Sequence, residues 1–207
     1  MPATFQPPAT TPTRMSTRRF DARHVVLGTL AGALSWVVGF LLTSLIVAPT
    51  LNDSTLNRVI EGLDGSLPTL DVVGWAFYNA HFVDVLVRGG PLGESAFSLV
   101  GGQNGFTPLL YAVPVALLLA AGLALARYQR VESPSQGALT GLTVLPGYLL
   151  LSVAGAFVVE LTAFGLHVGP DLVMAALLAG LFYPVLFAGA GGAIGGFLEQ
   201  RAAPGGD

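Results

Sequence analysis

Cysteine is missing from this 207-residue chain, and so is lysine. Without cysteine there is no disulfide, no thiolate metal ligand and no thiol nucleophile. Basic residues number 9, all arginine, and 12 acids oppose them for a formal charge of −3. That balance leaves no basic footprint for nucleic acid. A GC-rich coding bias accounts for the missing lysine; adaptation to high salt is the alternative reading. Charge of either sign is scarce, at 10% of residues, against ~25% in an average soluble domain. No P-loop is present, so nothing points to nucleotide-driven transport. The long apolar runs contain neither an Asp pair nor a His beside their Ser residues, which removes the usual groups for proteolysis within a membrane.

Hydrophobic residues make up 53% of the chain, more than one soluble core of this size hides. They gather into four runs, residues 25–48, 108–126, 139–161 and 172–198. Each has the ~20 residues a helix needs to cross a hydrocarbon layer about 30 Å thick. Lipid offers backbone N–H and C=O groups no water, so each run must satisfy them internally as a helix. The first run is about twice as long as the ~7–15-residue core of a cleaved signal peptide. It follows Arg14, Arg18, Arg19 and Arg23 and reads as an uncleaved anchor.

Arginine sets the expected orientation, because positive charge near helix ends stays cytoplasmic. Arg127 and Arg130 lie between the second and third runs, and Arg201 follows the fourth. Residues 49–106 are acidic instead, with Asp53, Glu61, Asp64, Asp71, Asp84 and Glu94 against Arg58 and Arg88. Four spans with both termini cytoplasmic satisfy every cluster. A fifth span over residues 71–87 is rejected: the stretch is short and holds Asp71, His81 and Asp84. A charge at mid-bilayer costs about 2.5–3.5 kcal/mol.

Trp75, Tyr78, Phe82 and Val85 recur at helical spacing, which predicts an amphipathic helix over residues 71–88 lying at the outer membrane surface. His81, Asp84 and Arg88 fall on another face, with Asp84 and Arg88 spaced for an ion pair. The Gly-rich residues 89–106 predict a loop. Asn52, Asp53 and Ser54 offer an N-cap for a short helix to about residue 63. Pro49 is expected to end the first helix, and Pro114, Pro146 and Pro184 to kink theirs. The chain thus divides into a disordered cytoplasmic tail (1–22), a transmembrane domain (23–200) with an extracytoplasmic cap (49–106), and a second cytoplasmic tail (201–207).

Gly191 with Gly195, Gly192 with Gly196, and Gly28 with Gly32 are small-residue pairs of the GxxxG type. They let helix backbones approach closely. Packing within one bundle is the plainer reading, and a homo-oligomer interface the sharper one. Glu160 is the lone acid in an apolar run and so a candidate functional group, but its place near the run's outer end suits a carboxylate reaching water. His81, Asp84, Glu160, His167 and Asp171 all fall on the outer side by this topology. No local ligand spacing makes them a metal site, so neither a metal nor a cofactor is expected. The candidate functional or partner-binding residues are Trp75, Tyr78, Asn79, His81, Asp84 and Glu160.

The segment VGWAFYNAHFVDV (residues 73–85) resembles a signature of haloarchaeal multi-pass membrane proteins of unknown function. TPLLYAVPVALLLAAG (107–122) and LTVLPGYLLLSVAGAF (142–157) are similar to their second and third spans. The resemblance implies a haloarchaeal plasma-membrane protein and supplies no catalytic residues. The expected fold is an all-α integral membrane protein, a four-transmembrane-helix bundle with an extracytoplasmic cap carrying an amphipathic interfacial helix. The expected role is a non-enzymatic scaffold or partner-binding component, contacting lipid and either its own copies or another membrane protein. The alternative is a small oligomeric transporter or channel.

Overall fold

A computed structural model describes residues 22–52, 69–90, 93–101, 105–163 and 165–203. The expected disordered tail, save Ala22, and the short helix expected after Asn52 lie outside the described residues. Among the described residues, four helices are long and apolar enough to cross a membrane: Ala22–Leu51, Pro108–Tyr128, Pro134–Val158 and Leu172–Ala202. These are spans 1 to 4 below. Large apolar side chains on their outward faces, such as Leu34, Leu45, Leu150 and Val173, are exposed, the pattern expected of helices that face lipid.

Helix α1 (Ala22–Asn52) is span 1 with one further residue, and it runs through Pro49 rather than stopping before it. Helix α2 (Thr69–Asn79) lies between spans 1 and 2. Strands β1 (Val85–Gly90) and β2 (Gly93–Phe97) follow. Span 2 opens with a 3-10 turn, Pro108–Tyr111, capped by the Thr107 side chain. It continues as α3 (Ala112–Tyr128). Pro114 sits in the first turn of α3, just after the 3-10 turn, where a missing N–H leaves no gap in the ladder.

Span 3 breaks where Pro146 cannot donate, into α4 (Pro134–Leu142) and α5 (Leu145–Val158). At the break Thr143 and Val144 bond back three residues, to Thr140 and Gly141. Strands β3 (Leu161–Ala163) and β4 (Leu166–Pro170) join spans 3 and 4. Span 4 begins as α6 (Leu172–Met174), whose N–H groups are met by the Asp171 carboxylate. It widens to π-helix over Ala175–Phe182 and Pro184–Ala188, then ends as α7 (Gly189–Ala202).

The all-α expectation is corrected by a four-stranded antiparallel sheet in the order β2-β1-β4-β3 at one end of the bundle. The residues expected to form a Gly-rich loop supply β2. Gly89 has φ +90° and Gly93 φ +85°, turn conformations that glycine enters without steric cost. The arginines of spans 1, 2 and 4 collect at the opposite end. We call the two ends the sheet end and the arginine end.

Glycine packs the bundle together. A Cβ on Gly28 or Gly32 would strike Thr143 or Val144 of span 3. On Gly191 or Gly195 it would meet Leu119, Leu123 and Ala126 of α3, and on Gly192 or Gly196 it would meet Gly137, Ser133 and Pro134 at the start of span 3. The span 4 GxxxG faces are therefore consumed inside one chain, on α3 along one side and α4 along the other.

A buried hairpin tip between the helices

Residues 71–80 are buried without exception. That overturns the expected interfacial helix. An amphipathic helix on a surface keeps one face wet; α2 has none over these residues, because spans 1 and 3 and the sheet enclose it. Nor does the helix continue to residue 88. It ends at Asn79, the chain turns through residues 80–82, and β1 carries it back toward the sheet. The segment is a helix-in, strand-out hairpin inserted between the spans. Tyr148 precedes Val158 by ten residues, so the tip's hydroxyl partner is rooted about 15 Å below the end of α5 at ~1.5 Å per residue.

The turn has a clear local cause. Val83 N–H donates to Tyr78 C=O and Phe82 N–H to Asn79 C=O, the paired bonds of a Schellman helix stop. Phe82 takes the left-handed position with φ 58°, one that glycine more often fills. Its ring stacks on Tyr111 at 4.5 Å between centroids. Asn79 holds both sides of the turn, its amide donating to Val83 C=O at 2.7 Å while its carbonyl accepts from Leu99 N–H at 2.7 Å.

His81 lies at the tip and is wholly buried. Its Nδ1 is 2.8 Å from Phe77 C=O and its Nε2 is 2.7 Å from the Tyr148 hydroxyl. A carbonyl only accepts, so Nδ1 must carry the proton and donate. In the neutral ring Nε2 then accepts from Tyr148. Burial pushes the His81 pKa down from 6.5 to about 4, against the smaller opposing effect of the Phe77 carbonyl. Phe77 packs on the same ring at 4.7 Å and Tyr183 at 4.9 Å. The Tyr183 hydroxyl, set between the two π-helical stretches of span 4, donates to Ala80 C=O at 3.3 Å.

The other sequence candidates divide into buried and exposed. Trp75 is buried and donates from Nε1 to Val159 C=O at 2.8 Å. Tyr78 is buried and donates to Ser152 C=O at 2.5 Å; burial pushes its phenol pKa up. Asp84 is exposed, and its carbonyl accepts from Asp171 N–H where β1 meets β4. It does not pair with Arg88, whose guanidinium bonds Glu94 across the β1–β2 turn at 2.9 Å, because residues 84–88 are extended rather than helical. Glu160 is exposed just past the end of α5, against Gly169 of β4. His167 is exposed and bonds Thr162 across the β3–β4 pair at 3.0 Å. Among the described residues no three His, Asp or Glu side chains gather to hold a metal ion.

Sequence reading did not single out Tyr148, Tyr183 or Ser152 as partners of the hairpin. A signal existed for the two tyrosines: a buried phenol normally finds a hydrogen-bond partner, and both stand in otherwise apolar runs. The Ser152 hydroxyl is buried without a partner among the described residues.

A family model matches residues 8–199, and the chain accordingly belongs to a family of unknown function, DUF7978. No curated protein and no solved structure matches it.

Proposed function

We propose that this family member is a non-enzymatic multi-pass membrane component that binds a partner through its sheet end. The single observation that carries this reading is the hairpin itself. It fills the space between the spans with packed aromatic side chains, and both nitrogens of His81 are spent on Phe77 and Tyr148. A conduit instead needs polar groups spaced through the membrane depth and a wet path between them. At the sheet end, by contrast, the edge strand β2 is exposed over Gly93–Ala96. An open edge offers N–H and C=O groups for strand addition by a partner.

The arginines at one end, and the acidic sheet end, support an orientation with both termini cytoplasmic and the sheet outside. The absence of lysine and the FYNAHFV wording support a haloarchaeal plasma membrane as its home.

A transporter or channel assembled from several copies is the competing reading. The Ser152 hydroxyl, unpaired among the described residues, and the π-helical stretch beside the tip favour it, since π-helical segments recur at functional sites. Two measurements separate the readings. Purified protein in liposomes is expected to move neither ions nor small solutes. A photo-crosslinker at Glu94 is expected to trap one defined partner in native membranes. Proline at Ser95 or at Ala96 should abolish that cross-link in one of the two variants, because one of two neighbouring N–H groups points out of the sheet. Flux that depends on His81 or Glu160 would overturn the scaffold in favour of the conduit.

A further inference from the structure

A lateral cleft of about 530 Å³ opens between spans 1 and 2 toward the arginine end. Its walls are Leu27, Ala31, Leu34 and Val38 on α1 and the small residues Ala120, Ala121 and Ala124 on α3. Tyr128, at the end of span 2, stands at its mouth and is mostly exposed. Residues 27, 31, 34 and 38 are one helical stripe at spacings of three and four. Arg23 is four residues before Leu27, so the same stripe brings it one turn beyond the apolar wall. It is exposed. Arg127 is committed to Glu199 at 3.2 Å. Arg130 is exposed beside Tyr128 in sequence, two residues from the exposed Glu132. Among the described residues, Arg23 is thus the cation best placed above the cleft.

We propose that this cleft binds an anionic glycerophospholipid, its hydrocarbon chain along the alanine wall and its phosphate at Arg23. Three features fit that occupant together. The wall is apolar and faces the bilayer side of the bundle. An amphipathic tyrosine marks the depth where a headgroup begins. A basic residue continues the wall at that depth, where each Arg near an anionic headgroup contributes about a fivefold preference. Arg88 offers no equivalent at the sheet end, because Glu94 neutralises it. The inference is independent of the scaffold reading and holds equally for a conduit.

The test uses the full chain reconstituted in vesicles of equimolar phosphatidylglycerol and phosphatidylcholine, then extracted gently and weighed with its retained lipid by native mass spectrometry. Phosphatidylglycerol should be retained about fivefold over phosphatidylcholine. Arg23→Gln should erase that preference and leave lipid bound. Ala124→Phe fills the cleft from an exposed position and should remove the lipid altogether. Arg88→Gln should change nothing. Equal retention of the two lipids, an unchanged preference in Arg23→Gln, or full retention in Ala124→Phe each overturns the proposal. So does a dimer seated on the cleft, seen as a cysteine cross-link between copies at residue 124 with no lipid retained.

Discussion

At the scale of single residues, His81 is held by hydrogen bonds whose removal has a calculable sign. Tyr148→Phe leaves Nε2 buried without a donor, which costs about 1–3 kcal/mol. Thermal unfolding in detergent at pH 7.5 should show that loss. The pH dependence has its own direction. The folded-state pKa of His81 is depressed to about 4, so the unfolded chain binds the extra proton first. Stability is therefore complete above pH ~6.5 and falls as pH drops from there toward 4. His81→Gln should flatten that part of the melting profile relative to the parent, whatever the carboxylates contribute. Arg130 offers the opposite case. It sits with φ 48° at the stop of α3, in paired bonds like those after α2, from Val131 N–H to Ala126 and from Arg130 N–H to Arg127. Arg130→Gly relieves a left-handed conformation that costs roughly 1 kcal/mol, and a modest rise in melting temperature is expected.

At the scale of elements, span 4 is positioned by backbone contact more than by side chains. The carbonyls of Leu119, Ser133 and Gly137 stand where Cβ atoms would be on Gly191, Gly196 and Gly192. Substituting Ala at Gly192 must push α7 off α4, because what it meets is backbone rather than the flexible end of a side chain. Overpacking of this kind costs about 1–3 kcal/mol, and Gly192→Ala should lower the melting temperature more than Ala124→Ser on a lipid-facing wall. The same close approach explains why these glycines serve intrachain packing: the surface a second copy would need is already occupied. The hairpin is an element of another kind. Its helix has no wet face over residues 71–79, so its stability comes from enclosure by spans 1 and 3 and the sheet rather than from an interface with water.

At the scale of the whole molecule, the chain has two ends of different character joined by a packed middle. Its lack of cysteine makes that arrangement testable by single substitutions. Ser95→Cys on the sheet edge and Ser135→Cys at the arginine end are both exposed positions. A membrane-impermeant maleimide should label the first in intact cells and the second only after permeabilisation. Cysteine at His81 should stay unlabelled in both. Labelling of Ser135→Cys in intact cells would reverse the orientation.

How much of this was legible beforehand differs by region. The four spans follow from run length, because a helix that crosses lipid needs only enough consecutive apolar residues, and that is a local property. One helix break was readable because its cue is local too: Pro146, expected to kink its helix, divides span 3. Pro49 misled, since α1 runs past it to Asn52. Residues 71–88 misled more. Trp75, Tyr78, Phe82 and Val85 make a helical stripe on paper, yet the chain leaves the helix after Asn79 and Phe82 points away from the buried set, 64% exposed. The break comes from Asn79 bonding Val83 and Leu99, twenty residues apart from it in the second case, and no window of sequence contains that pairing.

The sequence by itself determined the four helices long and apolar enough to cross a membrane and the segregation of arginine, because hydrophobic transfer and charge placement act residue by residue. Only the tertiary structure decided that residues 71–81 turn inward. An isolated His, Asn and Tyr read as polar and therefore as surface. Once Phe77, Val83, Leu99, Ser152 and Tyr148 are brought within hydrogen-bonding distance, the same groups are satisfied inside, and burial then excludes water from them.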